Sequence, residues 1–197
     1  MSSNFSLNPL QQRRLCLASA SPRRLALLRQ VGIEPEVRPA QLDESPLPAE
    51  SVHDYVQRMA ISKAQAVVQP QDDLILAADT IVVLHEQLLG KPDHPQQAIQ
   101  MLQQLAGQEH LVLTAIAILH PDSQRLRTQT VASRVWIKPM TLPEMIAYVQ
   151  SGEPLDKAGS YGIQGLGAAL VARIDGSCSG VAGLPLCETL NLLREFT

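Results

Sequence analysis

Two arginines stand where an apolar run is expected to give way to a helix. The segment Ser19-Ala-Ser-Pro-Arg-Arg24 ends a predicted buried strand, Leu15–Ala20, and begins a helix. Such a junction presents unpaired backbone N–H groups and the positive end of the helix dipole, both of which suit an anion. Ser19, Arg23 and Arg24 could therefore bind phosphate oxygens. Cations in a first turn oppose the dipole by only about 0.3 kcal/mol, and solvated surface arginines are an open alternative.

A carboxylate closes the next apolar run. Asp79 follows Leu74–Ala78, and in α/β folds ligands bind beside the ends of such strands. Together with Asp43-Glu44, Asp79 could form an oxygen-only magnesium site or orient a water for attack on phosphorus. Taken alone, Asp79-Thr80 is better explained as a turn between two hairpin strands, Leu74–Ala78 and Ile81–Leu84.

Further polar groups are weaker candidates when each is considered alone. Lys63 falls on a predicted helix and Lys91 precedes a proline, and single lysines are usually solvated. The glycine-rich segment Gly159–Gly167 lacks the order of the dinucleotide fingerprint. Its close-set glycines would still let the backbone approach a flat ligand, and Gln164 offers a donor and an acceptor to a base edge.

The elements that must position these groups alternate between strand and helix. This alternation predicts an α/β fold with a mixed sheet. Capping boxes are expected at Ser51 with Asp54 and at Thr141 with Glu144. The other predicted strands are Ile33–Arg38, Leu111–Leu119, Val131–Ile137 and Ala168–Ile174; the predicted helices begin near Arg23, Ser51, Pro95, Thr141 and Pro185.

Composition excludes several classes of function. The net charge is −3 and only six residues are aromatic, and neither property favours a nucleic-acid binder. No apolar run approaches the roughly 20 residues of a membrane span, and no secretory signal is recognisable, which places the protein in the cytoplasm by default. The three cysteines lack CxxC spacing and the five histidines lie far apart, which argues against a zinc site.

Taken together and in order, the motifs resemble those of the Maf family of nucleoside triphosphate pyrophosphatases. The match extends from about residue 15 to the C-terminus, and seven motifs occur in register. They are Ser19-Ala-Ser-Pro-Arg-Arg24, Asp43-Glu44, Tyr55-Val-Gln-Arg-Met-Ala60 with Lys63, Ala78-Asp-Thr80, Gly90-Lys-Pro92, Asp156-Lys-Ala-Gly-Ser-Tyr-Gly-Ile-Gln-Gly165 and Val181-Ala-Gly-Leu-Pro185.

The resemblance implies an architecture and a chemistry. It implies a mixed twisted sheet flanked by helices, with two lobes around a substrate cleft as in Maf and ITPase-like proteins. A flexible extension at residues 1–14 would precede a single domain at residues 15–197. The activity implied is hydrolysis of a nucleoside triphosphate to the monophosphate and pyrophosphate with Mg²⁺ or Mn²⁺, by a cytoplasmic homodimer.

Roles follow by position in the matched motifs. Asp79 resembles the catalytic acid–base residue, and Glu44 with Asp79 resembles the carboxylates of the metal site. The triphosphate ligands implied are Ser19, Arg23, Arg24, Lys63 and Lys91.

The resemblance also implies a branch of the family. Arg23, Thr80 and Gln164 together are similar to the pattern of members that prefer dTTP and UTP. The branch that acts on 7-methyl-GTP carries tryptophan in place of Arg23. This sequence departs from the family in its extension, Met1–Arg14, and in the small pair Ser179-Gly180, neither of which touches a proposed catalytic position.

Two alternatives stay open at this point. One is pyrophosphohydrolysis of another nucleotide, such as 7-methyl-GTP or a deaminated purine triphosphate. The other is a non-catalytic nucleotide sensor that regulates septum formation, since the family has been linked to cell-division arrest. Release of pyrophosphate separates an enzyme from a sensor, and a nucleotide panel separates the substrates.

Overall fold

The computed structural model describes residues 7–10 and 13–196. Within these residues the strands are β1 (Leu15–Leu17), β2 (Glu36–Val37), β3 (Leu74–Leu84), β4 (Gln87–Leu89), β5 (Glu109–His120), β6 (Arg125–Ile137) and β7 (Val171–Asp175). The α-helices are α1 (Pro22–Gln30), α2 (Val52–Ala66), α3 (Pro95–Leu105), α4 (Leu142–Gln150), α5 (Cys178–Val181) and α6 (Leu186–Arg194), with short 3-10 helices between Glu153 and Leu170. In the described part of the chain, no helix is both long and apolar enough to cross a membrane.

The strands form one mixed sheet. Its order is β2-β1-β3-β5-β6-β7, and β4 pairs with β3. β1 is parallel to both β2 and β3, whereas β4 is antiparallel to β3 and β7 is antiparallel to β6. All three residues of β1 are buried, as expected of a strand covered on both faces, which is why it is a continuous apolar run. The predicted α/β fold with a mixed sheet flanked by helices is therefore confirmed.

The chain divides into two compact units. The first comprises the described residues of Met1–Asp79, Ala115–Thr130 and Gly183–Thr197, and the second comprises Thr80–Thr114 and Val131–Ala182. The first unit buries large apolar side chains from β1, α1, α2 and β3, among them Leu17, Leu28, Met59, Leu74 and Leu76. The core of the second unit includes Val82, Leu102, Leu105, Val135, Met145 and Tyr148.

The predicted capping box forms in full at the start of α4, whereas at the start of α2 only the bond to the serine hydroxyl forms. Ser51 Oγ accepts a hydrogen bond from Asp54 N at the start of α2, and Thr141 with Glu144 forms a reciprocal capping box on α4. The side chain of Ser21 precedes α1 without capping it, and Pro22 occupies the first turn. The start of α1 thus keeps backbone N–H groups that no Ser21 side chain covers.

The predicted break at Asp79-Thr80 is wrong. These residues lie inside β3, a continuous strand of 11 residues. The two polar side chains need no turn, because Asp79 pairs with Lys63 and Thr80 hydrogen-bonds Thr114 Oγ1. A polar pair can stay within a buried strand when each side chain has a partner.

Other strand boundaries also differ. β1 ends at Leu17 rather than at Ala20, because Ser19 N already turns back to Leu17 O. β2 has two residues instead of six, and β7 begins at Val171 because Gly165–Leu170 forms a 3-10 helix. Apolar composition therefore predicted the locations of these strands, whereas their ends are determined by backbone turns.

Part of the predicted extension is described. Leu10 is buried, and the side-chain amide of Asn8 donates to Gly32 O at 3.2 Å. Residues 1–6 and 11–12 lie outside the described residues. Flexibility of residues 1–14 stays a prediction.

Candidate active site

Glu44, Lys63 and Asp79 form a charged cluster in the first unit. The ammonium of Lys63 lies 2.7 Å from Asp79 Oδ1 and 3.0 Å from Glu44 Oε1. Lys63 and Asp79 are buried, whereas the Glu44 side chain is 51% exposed. Three residues that are far apart in sequence thus meet, and one cation lies between two carboxylates.

The secondary structure explains why these groups meet. Tyr55, Met59 and Lys63 are spaced four residues apart on α2, and all three are buried on one helical face. Asp79 lies in β3, three residues beyond Leu76, which is paired with the last residue of β1. The carboxylate therefore stands just past the carboxyl end of β1, where α/β folds place ligand-binding groups.

The loop that follows β1 is tied together by Arg24. Its Nη1 donates to Ser19 Oγ at 2.9 Å, and its Nε donates to Gly183 O at 2.8 Å. Ser19 Oγ also accepts from Ser21 N at 3.2 Å. Arg24 thus joins the loop before α1 to Gly183, near the C-terminus. Arg23, the neighbouring predicted ligand, is half-buried in the first turn of α1.

The charges around Arg24 connect this loop to the carboxylate cluster. Burial lowers the pKa of the Arg24 guanidinium below its usual value, and the charge of Arg23 acts in the same direction. The negative charges of Asp79 and Glu44 oppose that shift. Arg24 therefore interacts electrostatically with both carboxylates of the charged cluster.

Glu44 and Asp79 present carboxylate oxygens of the kind that hard divalent cations take. No group of three or more His, Cys, Asp or Glu side chains able to hold a metal ion occurs among residues 7–10 and 13–196. Two carboxylates nevertheless converge on the point that Lys63 Nζ occupies. Mg²⁺ commonly takes one or two carboxylates and completes its shell with water and substrate phosphate oxygens. Two carboxylates suit a Mg²⁺ ion that is also bound by water and phosphate oxygens better than one bound by protein ligands alone.

Three predicted residues belong to the second unit. Thr80 is half-buried, and Lys91 and Gln164 are exposed. Thr114 Oγ1 donates to Gly180 O at 2.8 Å and lies 3.0 Å from Thr80 Oγ1. Because a hydroxyl carries one proton, Thr80 is the donor in its contact with Thr114. The roles of these three residues stay predictions.

Glu153 organises the glycine-rich segment that contains Gln164. Its carboxylate accepts hydrogen bonds from Leu166 N at 2.8 Å, from Gly167 N at 2.9 Å and from the Tyr148 hydroxyl at 3.0 Å. Burial alone would raise the pKa of Glu153, but these hydrogen bonds hold it below its usual value. The sequence pattern did not single out Glu153. Its position directly after the glycine that ends α4 was the available signal.

A buried histidine supports the same segment. His110 Nε2 lies 2.6 Å from the Tyr161 hydroxyl, the two rings meet edge to face, and His110 Nδ1 is buried without a hydrogen-bond partner among the described residues. Burial lowers the pKa of His110 to about 4. Above its ordinary pKa of 6.5, His110 is therefore neutral in both the folded and the unfolded state.

Acid should destabilise the protein through His110. As the pH falls from 6.5 towards 4, the unfolded chain binds a proton at His110 and the folded chain does not. The free energy of unfolding therefore falls by about 2 kcal/mol between pH 6.5 and pH 5 from this group alone. Urea unfolding at both pH values should show that His110→Gln removes this part of the loss, whereas the same change at exposed His53 keeps it. An unchanged pH dependence in His110→Gln would contradict the assignment.

Comparison with known proteins gives the family. The model of the family described as "Maf-like protein" matches residues 14–196. A dTTP/UTP pyrophosphatase of Desulfotalea psychrophila is 48% identical over 184 residues, which cover 93% of this chain and 94% of that protein. Proteins with the same name from Hahella chejuensis and Shigella dysenteriae are 45% and 48% identical, covering 98% and 92% of this chain and 96% and 92% of their own lengths.

Two solved structures align with this chain over most of its length. A dITP/XTP pyrophosphatase of Mycobacterium abscessus aligns with a TM-score of 0.42 and 14% identity, over 92% of this chain and 94% of its own. The Staphylococcus aureus Ham1 protein aligns with a TM-score of 0.47 and 11% identity, over 93% and 97%. The family assignment rests on the near-complete sequence matches, and by them this chain belongs to the Maf-like family.

Proposed function

We propose that this protein hydrolyses dTTP and UTP to the nucleoside monophosphate and pyrophosphate. The observation that carries the proposal is the convergence of Glu44, Lys63 and Asp79 on one point beside the loop of Ser19 and Arg24. The names of the relatives, which are 45% to 48% identical over nearly the whole chain, supply the substrates. Water is consumed, and the bond between the α-phosphorus and the bridging oxygen to the β-phosphate breaks.

The cations of the first unit are suited to bind the triphosphate. Arg23 and Arg24 lie in the first turn of α1, where the helix dipole also favours negative charge. Ser19 and Lys63 complete the proposed ligands of this unit, and the matched family motif adds Lys91 to the proposal. Preorganised cations stabilise the charge that develops on the phosphates without rearrangement during the reaction.

Asp79 is the proposed general base. Its carboxylate is buried and fixed by Lys63 at 2.7 Å, which limits its freedom to one orientation. In this role it accepts a proton from the water that attacks the α-phosphorus. Glu44 and Asp79 would hold Mg²⁺ or Mn²⁺, and such a cation supplies charge stabilisation at the phosphate oxygens.

Selectivity for pyrimidine nucleotides is assigned to Arg23, Thr80 and Gln164. A panel of triphosphates assayed for pyrophosphate release tests both the activity and its substrate. We expect dTTP and UTP to be turned over at least tenfold more efficiently than CTP, ATP, ITP or 7-methyl-GTP. Preference for ITP or 7-methyl-GTP would overturn the substrate, and nucleotide binding without pyrophosphate release would overturn the activity.

Cellular context and assembly are part of the same proposal. Free nucleoside triphosphates are cytoplasmic metabolites, and we place the protein in the cytoplasm, acting without nucleic acid or membrane partners. We further propose a homodimer. Sedimentation equilibrium with and without UTP checks the assembly, and a monomer at micromolar concentration would contradict it.

A further inference from the structure

The loop that carries Glu44 is held from one side by helix α2. The Tyr55 hydroxyl donates to the backbone carbonyl of Glu44 at 2.8 Å. The Tyr55 side chain is buried. Its hydroxyl donates to the residue that supplies a carboxylate to the site.

Arg58 holds the same loop three residues further along α2. Its Nη2 donates to Ser45 O at 3.1 Å, and its guanidinium binds both oxygens of Glu50 at 2.5 and 2.7 Å. Glu50 Oε2 in turn accepts from Leu47 N at 3.0 Å. A forked arginine–carboxylate pair fixes direction as well as distance. The segment from Glu44 to Glu50 is thus tied to α2 at both of its ends.

The Glu44 side chain itself has little to fix it. It is half exposed, and its ion pair with Lys63 is the contact that directs it. An exposed glutamate side chain samples several rotamers, and fixing its backbone limits the positions that the carboxylate can reach. Helix α2, which carries Lys63, therefore also fixes the position of the Glu44 backbone beside the charged cluster.

From these contacts we infer that Tyr55 is a positioning residue for Glu44, with Arg58 and Glu50 as the clamp that keeps the loop in register. This inference rests on the proposed function, because it assigns Glu44 to metal and nucleotide binding. It predicts that one hydroxyl outside the charged cluster controls how tightly the protein binds a divalent cation in the presence of nucleotide.

Tyr55→Phe tests the inference with a minimal change. The ring and its packing are kept, and only the hydrogen bond to Glu44 O is lost. Removal of a group that orients a metal ligand typically weakens metal affinity tenfold or more, and we expect about a tenfold loss of Mn²⁺ affinity. The measurement is electron paramagnetic resonance titration of Mn²⁺ with a UTP analogue carrying an imido bridge between the α- and β-phosphates. Arg58→Lys should give a smaller loss in the same direction.

Two controls separate positioning from stability. Ser51→Ala removes the cap of the same helix, and Arg29→Lys breaks a forked pair with Glu34 elsewhere in the first unit. Both should lower the unfolding temperature slightly and leave Mn²⁺ affinity unchanged. In a Glu44→Gln background, Tyr55→Phe should cause no further loss, because the two residues act through the same contact.

The outcomes distinguish this inference from the proposed function. Wild-type Mn²⁺ affinity in Tyr55→Phe, equal losses with and without Glu44, or Mn²⁺ binding that does not depend on Glu44 would each overturn the positioning role. If Tyr55→Phe weakens Mn²⁺ binding but the wild-type protein releases no pyrophosphate, the positioning role stands and the proposed activity fails. If the wild-type protein hydrolyses dTTP and Tyr55→Phe binds Mn²⁺ with wild-type affinity, the proposed activity stands and the positioning role fails.

Discussion

Replacing Asp79 by asparagine should lower pyrophosphate release from dTTP and UTP by about 10²- to 10⁴-fold, the usual contribution of a general base. Asparagine keeps the shape of the side chain and removes its charge and its basicity. The hydrogen bond from Lys63, 2.7 Å in the native protein, can still be made to the amide oxygen. The loss should therefore appear in kcat, measured by steady-state pyrophosphate release, and Mn²⁺ affinity should fall as well, because Asp79 is also a proposed metal ligand.

A second buried aspartate in the same unit provides the control. Asp72 accepts from Arg38 Nη1 at 2.8 Å and from Gln69 N, and neither partner belongs to the candidate site. Asp72→Asn removes a buried, paired carboxylate as Asp79→Asn does, and it should destabilise the fold without changing kcat. Equal turnover losses in the two variants would show that the effect of Asp79→Asn is structural. Wild-type turnover in Asp79→Asn would refute the role of Asp79 as base.

Local sequence was sufficient where a feature is made by neighbours along the chain. Ser51 with Asp54 and Thr141 with Glu144 gave the starts of two helices, because a cap is formed within four residues. Prolines at the starts and glycines after the ends of α1 and α3 predicted the ends of these helices to within one or two residues. Strand ends were less accurate, because they depend on turns and partners that composition does not encode.

In the candidate site, too, contacts between residues close in sequence could be predicted and contacts between distant residues could not. Ser19 and Arg24 are five residues apart, and the strand-to-helix junction between them suggested a shared anion-binding role before any fold was known. Glu44 and Asp79 are 35 positions apart, and the sequence linked them as carboxylates that could share a magnesium ion and as members of family motifs. That Lys63 would lie between them could not be predicted, because its contacts depend on how α2 packs against β3.

The polar pair in β3 illustrates why tertiary partners decide such cases. Asp79-Thr80 favours a turn by local preference, and the structure keeps both residues in a strand. A buried carboxylate without a partner would destabilise that strand by several kcal/mol. Lys63, from a helix earlier in the chain, removes this penalty. The same ion pair that permits the strand therefore also holds the proposed base in place.

That dual role leads to the largest expected effect on stability, which is that of Lys63→Met. Methionine fills much of the same volume but leaves Asp79 buried without its cation. Breaking a buried pair by removing one partner typically destabilises by about 3–5 kcal/mol. We expect about 3 kcal/mol in urea unfolding, at the lower end, because Glu44 is half exposed and water can solvate it. Turnover should also fall, because Lys63 is a proposed ligand of the triphosphate.

A divalent cation should partly restore the stability of Lys63→Met. The ammonium lies within 3.0 Å of both carboxylates, so its removal leaves the point between them open to Mn²⁺. A ligand that binds only the folded state stabilises it by RT ln(1 + [L]/Kd). Millimolar Mn²⁺ should therefore raise the unfolding temperature of Lys63→Met by more than that of the wild type, while pyrophosphate release stays low.

Lys138→Met is the matched control, because Lys138 forms an exposed ion pair with Glu144 at 2.9 Å. Its loss should change stability by less than about 1 kcal/mol, without any response to Mn²⁺. Wild-type turnover in Lys63→Met would show that Lys63 does not bind the triphosphate. An equal Mn²⁺ response in both variants would show that Lys63 does not occupy the position of the metal. If stability recovers with Mn²⁺ while turnover does not, the lysine is needed both to balance the carboxylates before the nucleotide binds and to contact the nucleotide afterwards.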